Sequence, residues 1–179
     1  MTMKKFLKVD EWNIIEEGFH ADNLRASESI FSLGNGRFGQ RGNFEESYSS
    51  DSLQGSYVAG ITFLDRTRVG WWKNGYPRFF SRIPNTPDWS GIYVRLIDEE
   101  LDLAHWDVES YERRLDMKAG ISYRDFRVTS PKGNTLEVHI EHINSMDNQN
   151  LCLIKYSVTS VNYEGKISLV PYLNGDVKH

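Results

Sequence analysis

Between residues 122 and 161 apolar and polar side chains alternate with a period of two, broken by short clusters of turn-forming residues. Successive side chains of a strand point to opposite faces, so this pattern fits half-buried β-strands and gives a helix no continuous apolar stripe. In residues 135–145, Leu136, Val138 and Ile140 fall on one face and Glu137, His139 and Glu141 on the other. In residues 122–130, Phe126 and Val128 oppose Asp125, Arg127 and Thr129. Pro131-Lys132-Gly133-Asn134 lies between them, with a fixed φ followed by residues that tolerate positive φ, so the pair reads as a hairpin. A polar turn at 147–150 leads into residues 151–161, with Cys152, Ile154, Tyr156 and Val158 on one face. Leu151 and Leu153 are apolar on the other, which predicts a strand covered on both sides. Asn162-Tyr163-Glu164-Gly165 turns the chain again before Ile167 and Leu169, making residues 166–173 the fourth strand of a meander.

The upstream signals are shorter. Residues 28–33 read as a strand closed by a hairpin turn at Gly34-Asn35-Gly36, and residues 55–63 and 92–97 read as further strands. Residues 106–117 are a strand candidate despite their charges, and residues 10–17 are the one place where a short helix could start. Nine or ten strands with antiparallel connections predict an all-β sandwich occupying residues 1–179 as one domain. One stretch lacks the rhythm. Residues 65–90 hold Trp71, Trp72, Tyr76, Phe79, Phe80 and Trp89 together with three prolines, and read as a long loop of the kind that is usually functional or partner-bound.

Composition removes several classes of function. Twenty-one basic and 25 acidic residues give a net charge of −4 without a basic block, so no nucleic-acid partner is expected. No apolar run approaches the roughly 18–20 residues of a membrane span, so no membrane partner is expected either. Cys152 is the single cysteine, which excludes an internal disulfide and a cysteine-built zinc site. With no apolar segment after Lys4 and Lys5 and no Asn-x-Ser/Thr acceptor, the expected setting is the cytoplasm.

The chemical motifs are individually weak. Gly34-Asn35-Gly36-Arg37-Phe38-Gly39 matches a dinucleotide fingerprint in letters, but no helical stripe follows it, so a tight hairpin is the better reading. His139 and His142 are three apart, which on a strand places them on opposite faces and prevents a shared metal. Cys152 sits in an apolar run and reads as an inert core thiol. Asp98-Glu99-Glu100 reads as a solvated turn. Glu45 and Glu46 are adjacent, so in an extended chain they would diverge. Glycoside hydrolysis needs two carboxyl groups facing across one bond, about 5–10 Å apart, and no such pair is fixed by the sequence. Glu141 with a neighbouring histidine could form an acid–base couple, against the simpler reading of an exposed strand face. Flat rings with polar tips suit both sugar faces and interface anchors. Trp71, Trp72, Asn74 and Tyr76 are therefore the candidate substrate-binding or interface residues, with a core plug as the alternative role for the rings.

Glu28-Ser29-Ile30-Phe31-Ser32-Leu33-Gly34-Asn35-Gly36, followed by Gly39-Gln40-Arg41-Gly42-Asn43-Phe44-Glu45-Glu46, resembles the opening of glycoside hydrolase family 65, which contains maltose, trehalose and kojibiose phosphorylases. Gly55-Ser56-Tyr57-Val58-Ala59-Gly60, Leu115-Asp116-Met117-Lys118-Ala119-Gly120 and Leu173-Asn174-Gly175-Asp176-Val177 continue the likeness, although the family more often has Asp where Asn174 stands. Residues 68–77 look most like the maltose phosphorylase form. The resemblance implies an N-terminal antiparallel β-supersandwich similar to galactose mutarotase, shortened here and followed in the full-length enzyme by a C-terminal catalytic (α/α)₆ barrel. It also implies inverting phosphorolysis of an α-glucosyl disaccharide, with inorganic phosphate as co-substrate, no other cofactor, and a homodimer. The catalytic glutamate belongs to the barrel, so no catalytic residue is assigned here. A scaffold and interaction domain, inactive alone, is the expectation. The rivals are a free-standing carbohydrate-binding module, a trehalose or kojibiose phosphorylase or a hydrolase of the same family, and a mutarotase-like epimerase using Glu141 and His142.

Overall fold

The computed structural model describes residues 6–67 and 75–177. The chain opens with β1 (Leu7–Val9) and β2 (Asn13–Glu17), which pair antiparallel. Residues 10–17 thus hold a strand where a short helix was expected. The Asp10 carboxylate accepts hydrogen bonds from the backbone N–H groups of Trp12 and Asn13, closing a turn that sends the chain back along itself. A 3₁₀ turn (Ala21–Asn23) leads into α1 (Leu24–Ile30). This helix overturns the strand expected at 28–33, of which only Leu33 contributes to β3 (Leu33–Gly34). The signal was present in the spacing: Leu24, Ser27, Glu28 and Phe31 are the buried residues, at i, i+3, i+4 and i+7. Two of the four are polar, which hides the stripe from a hydrophobicity count.

The turn at Gly34-Asn35-Gly36 is as expected, with Gly36 at φ +84° and β3 paired to β4 (Phe38–Gln40). Asn35 is fully buried and receives the N–H groups of Arg37 and Phe38 on its side-chain oxygen. Strand β5 (Ser56–Val58) continues this small sheet. The strand expected over 55–63 is broken at Gly60, which takes φ +84°, and resumes as β6 (Phe63–Arg66). Strand β6 pairs with β7 (Phe79–Arg82), so the ends of the expected 65–90 loop form a two-stranded ribbon.

Next come β8 (Ile92–Arg95), β9 (Asp107–Asp116), β10 (Ile121–Thr129), β11 (Thr135–Asn144), β12 (Cys152–Ser160) and β13 (Ser168–Pro171). The main sheet has the order β1-β2-β9-β10-β11-β12, all antiparallel. The four-strand meander exists, but its first member is the charged β9 rather than the last strand. Strand β13 leaves the sheet and pairs with β8 instead. The charges of β9 divide by face: Arg113 points inward and is buried, whereas Glu112 and Arg114 face outward.

The inner face of the main sheet carries Tyr111, Phe126, Val128, Leu136, Val138 and Ile140. It packs against Leu24, Phe44, Val94, Leu96, Leu101, Leu103 and Trp106, which come from α1, the segment after β4, and the region from β8 to β9. Strand β12 is covered on this face only, since Leu151 and Leu153 keep 41% and 48% exposure. No described helix is long and apolar enough to cross a membrane. The one-sided burial is measurable. Leu136→Ala should lower the unfolding free energy by about 2–5 kcal/mol. Leu153→Ala should change it by no more than about 0.5 kcal/mol in the same urea titration.

Candidate functional site

The segment Gln40-Arg41-Gly42-Asn43-Phe44-Glu45-Glu46 is not a loose loop. It runs under the inner face of the main sheet, and each of its side chains is placed. Arg41 donates to the carbonyls of Leu53 and Arg25. A Cβ on Gly42 would sit 2.9 Å from both the Cβ and the carbonyl oxygen of Phe31, so only glycine lets this strand of chain lie against α1. Asn43 accepts the N–H of Gly55, and the ring of Phe44 lies under the guanidinium groups of Arg113 and Arg124 at 5.1 and 4.6 Å.

The next two residues contradict the sequence expectation. Glu45 and Glu46 do not diverge; the chain bends here and both carboxylates converge on Arg124 of β10. Arg124 Nη2 lies 2.5 Å from Glu45 Oε2 and 2.6 Å from Glu46 Oε2, while its Nη1 donates to Glu46 Oε1. All three residues are buried. The Glu46 pairing is a two-pronged fork, the geometry in which a guanidinium gains most from a carboxylate. Tyr156 OH adds a hydrogen bond to Glu46 Oε2, and burial followed by the nearby Glu46 charge pushes that phenol well above its usual range. A parallel cluster lies beside it. Arg113 donates to Tyr111 OH and to the carbonyl of Gly42, with Glu16 Oε2 at 3.7 Å.

Burial on its own would raise the pKa of Glu45, but the Arg124 charge and His142 outweigh it and hold this carboxyl at about 2. His142 Nδ1 stands 3.4 Å from Glu45 Oε1, and its ring meets Trp89 edge to face. His142 is on the inner face, and His139 is on the outer face as the strand spacing requires. There His139 contacts Asp125 at 2.6 Å and Glu141 at 3.1 Å, and Lys155 contacts the same Glu141 oxygen at 2.6 Å. Chiefly the Asp125 hydrogen bond, against partial desolvation, raises the His139 pKa. Glu141 and His142 are therefore on opposite sides of the sheet and cannot act as one couple. Among the described residues no group of three or more His, Cys, Asp or Glu is placed to hold a metal ion. Cys152 is half-buried, and desolvation raises its thiol pKa, consistent with an unreactive group. Of the turn at 98–100, Glu99 and Glu100 are tied to Ser130 and Arg95, leaving Asp98 most exposed.

Trp71, Trp72 and Asn74 lie outside the described residues. Tyr76 is described and 60% exposed. It sits just past the closing contacts of the β6–β7 ribbon, where Thr67 donates to the carbonyls of Arg78 and Pro77. The ribbon itself exposes Phe63, Leu64, Phe79 and Phe80. The buried ionic cluster was missed in the sequence because adjacent side chains of an extended chain point apart, and the chain bends at Glu45 and Glu46. The signal that could have found it was Arg124, a charge on the apolar side of an alternating strand.

The Glu45 carboxylate ties stability to acid. Its pKa is about 2 when folded and 4.5 for an unperturbed glutamate, so its stabilisation is complete above pH 4.5 and is lost as pH falls toward 2. The loss should amount to about 3 kcal/mol, read as unfolding free energy against pH. Glu45→Gln should flatten that slope.

The profile of the Glycosyl hydrolase family 65 N-terminal domain matches residues 14–179. Maltose phosphorylase of Bacillus subtilis (strain 168) is 41% identical over 177 residues, covering 99% of this chain and 23% of that protein. The α,α-trehalose phosphorylase of Thermoanaerobacter brockii is 34% identical, with the same coverage of 99% and 23%. The kojibiose phosphorylase of Halothermothrix orenii is 34% identical over 93% of this chain and 20% of its own length. A solved structure from the human microbiome, assigned as a kojibiose phosphorylase, superposes with a TM-score of 0.78 at 30% identity, covering 87% of this chain and 20% of that one. The chain thus spans about a quarter of the length of the curated relatives it matches. With a profile match across most of its length, the chain belongs to glycosyl hydrolase family 65, as the N-terminal β-sandwich domain of that family.

Proposed function

We propose that this domain is the scaffold and interaction half of a disaccharide phosphorylase of the maltose phosphorylase type, and that it performs no bond cleavage alone. The observation that carries the reading is the alignment itself: 99% of this chain corresponds to 23% of a maltose phosphorylase. The buried carboxylates support it. Glu45 and Glu46 are engaged by Arg124, Glu16 faces Arg113, and Glu28 accepts from Ser52 and the N–H of Leu53. A general acid must present its proton to a leaving group in an accessible cleft, and none of these four does.

In this reading the remaining part of the enzyme supplies the acid and the site for inorganic phosphate, which is itself the nucleophile in inverting phosphorolysis of an α-glucosyl disaccharide. The domain docks on that barrel and contributes to a homodimer. Trp71, Trp72, Asn74 and Tyr76 reach toward the sugar pocket of the same or the neighbouring subunit. The exposed Tyr76 ring at the end of the ribbon supports this placement, since an aromatic face stacks on the C–H surface of a sugar.

Two measurements test it. The 179-residue chain given maltose and phosphate should release no glucose 1-phosphate; turnover comparable to a full-length relative overturns the proposal. In the complete enzyme, Trp71→Ala combined with Trp72→Ala should weaken acceptor use or dimer assembly, whereas unchanged kinetics with an unchanged dimer removes the role given to the aromatic segment. Calorimetric binding of maltose or longer glucans by the chain alone would favour a free-standing carbohydrate-binding module instead.

A further inference from the structure

The register of the main sheet puts a row of charges on its outer face. Glu17 of β2 stands opposite Glu112 of β9, Glu112 opposite Asp125 of β10, and Asp125 opposite His139 of β11. Directly opposite side chains on one face are about 4.5–5.5 Å apart at Cβ, and like charges there repel. Three carboxylates thus lie side by side across three strands. Lys8 of β1 closes one end of the row, 2.5 Å from Glu17. Among the described residues Glu112, in the middle, has no ion-pair partner: Arg114, on the same face, is taken by Asp116 and Asn13, and Arg127 by Glu109 and Glu137. His139 closes the other end.

Its two ring contacts require a cation. Nδ1 lies 2.6 Å from Asp125 Oδ1, and Nε2 lies 3.1 Å from Glu141 Oε1. A neutral imidazole has one N–H and one lone pair, so one of these contacts would set lone pair against lone pair, whereas two N–H groups satisfy both. The hydrogen bond to Asp125, ahead of a partial desolvation that works the other way, holds the ring above its ordinary 6.5. On β10 the Tyr123 ring also faces it, at 6.4 Å between centroids. On β12, Ser157 stands opposite His139 and Lys155 opposite Glu141, with Lys155 Nζ 2.6 Å from the same Glu141 oxygen. Signs therefore alternate from Asp125 through His139 and Glu141 to Lys155, crossing from β10 to β12. Strand β12 ends the sheet and pairs with β11 alone among the described strands.

We propose that protonated His139 is a pH-sensitive clasp on the outer face of the sheet, which neutralises the carboxylate row at Asp125 and ties the edge strand β12 to β10 through Glu141 and Lys155. Loss of the proton leaves one N–H. It stays on Asp125, the shorter contact, and the Nε2 lone pair then faces Glu141. The link to β12 opens, and the three carboxylates keep Lys8 as their one cation. Because the folded ring holds its proton more tightly than the unfolded one, the stabilisation is present below pH 6.5 and is lost as pH rises through the folded value. The clasp lies on the opposite side of the sheet from the Glu45 cluster and does not rest on the phosphorolytic reading.

The test follows the ring and the edge strand separately. In a pH titration of the protein labelled with ¹⁵N-histidine, His139 should lose its proton from Nε2 with a midpoint above 6.5, and Asp125→Asn should lower that midpoint. Amide-exchange protection factors along β12, corrected for the intrinsic pH dependence of exchange, should fall between about pH 6 and 9, and His139→Gln should remove that fall. A midpoint at or below 6.5, a proton leaving from Nδ1, a midpoint unmoved by Asp125→Asn, or a fall in β12 protection that persists in His139→Gln would overturn the proposal. The titration of the unmodified protein decides the matter even if a variant fails to fold.

Discussion

Arg124 is the point on which the architecture turns. It places a guanidinium on the inner, apolar face of β10 between Ser122 and Phe126, where a lone charge would not be tolerated. Its two carboxylate partners come from one bent segment, so satisfying the charge dictates where that segment must run. The segment then carries Phe44 into the core, and the carbonyl of Glu45 accepts the N–H of Ile92, which seats β8 in the opposing layer. Such a cluster is not an obvious source of net stability, because desolvating three charges offsets much of their attraction. Its effect is on uniqueness: a hydrophobic residue at position 124 would accept many partners, and a guanidinium on two-pronged terms accepts few.

This changes what the recognisable stretch of sequence means. Glycines and charges at positions 34–46 have the letters of a phosphate-cradling loop or of a carboxylate pair for catalysis, yet the structure uses them for a hairpin, a close approach to α1 and a buried fork. Within residues 34–46, part of the stretch that carries the resemblance, Gly42, Glu45 and Glu46 hold the segment against α1 and β10. Exposed aromatic side chains lie elsewhere, on the β6–β7 ribbon. A two-stranded ribbon is marginal on its own, so this element is suited to being held by something larger, in keeping with a chain that spans about a quarter of its relatives.

How much of this was legible followed from how each element is buried. Strands β10, β11 and β12 have one apolar and one polar face, and their alternation, turns and the hairpin pairing could be read from residues 122–161. Helix α1 could not, because Ser27 and Glu28 are two of its three buried residues. Strand β9 could be read as a candidate over 106–117 in spite of its charges, and the structure has it at Asp107–Asp116 with Arg113 turned inward. The departure of β13 toward β8 had no local signal at all, since strand order is settled by which edges meet rather than by the pattern within a strand. The misses at α1 and β13 concern polar residues inside and a long-range pairing. The buried ionic cluster combines both: a charge on an apolar face and a contact across 78 residues of chain.

The most direct measurement is a double-mutant cycle between Arg124 and Glu46, using Arg124→Met, Glu46→Gln and the pair, with unfolding free energies from denaturant titration. If the fork organises the fold, the single changes are each strongly destabilising and the double change costs less than their sum, with a coupling of about 1–3 kcal/mol. Additive effects within about 0.5 kcal/mol would mean that the two residues do not act together, and that the layers are held in place by apolar packing alone.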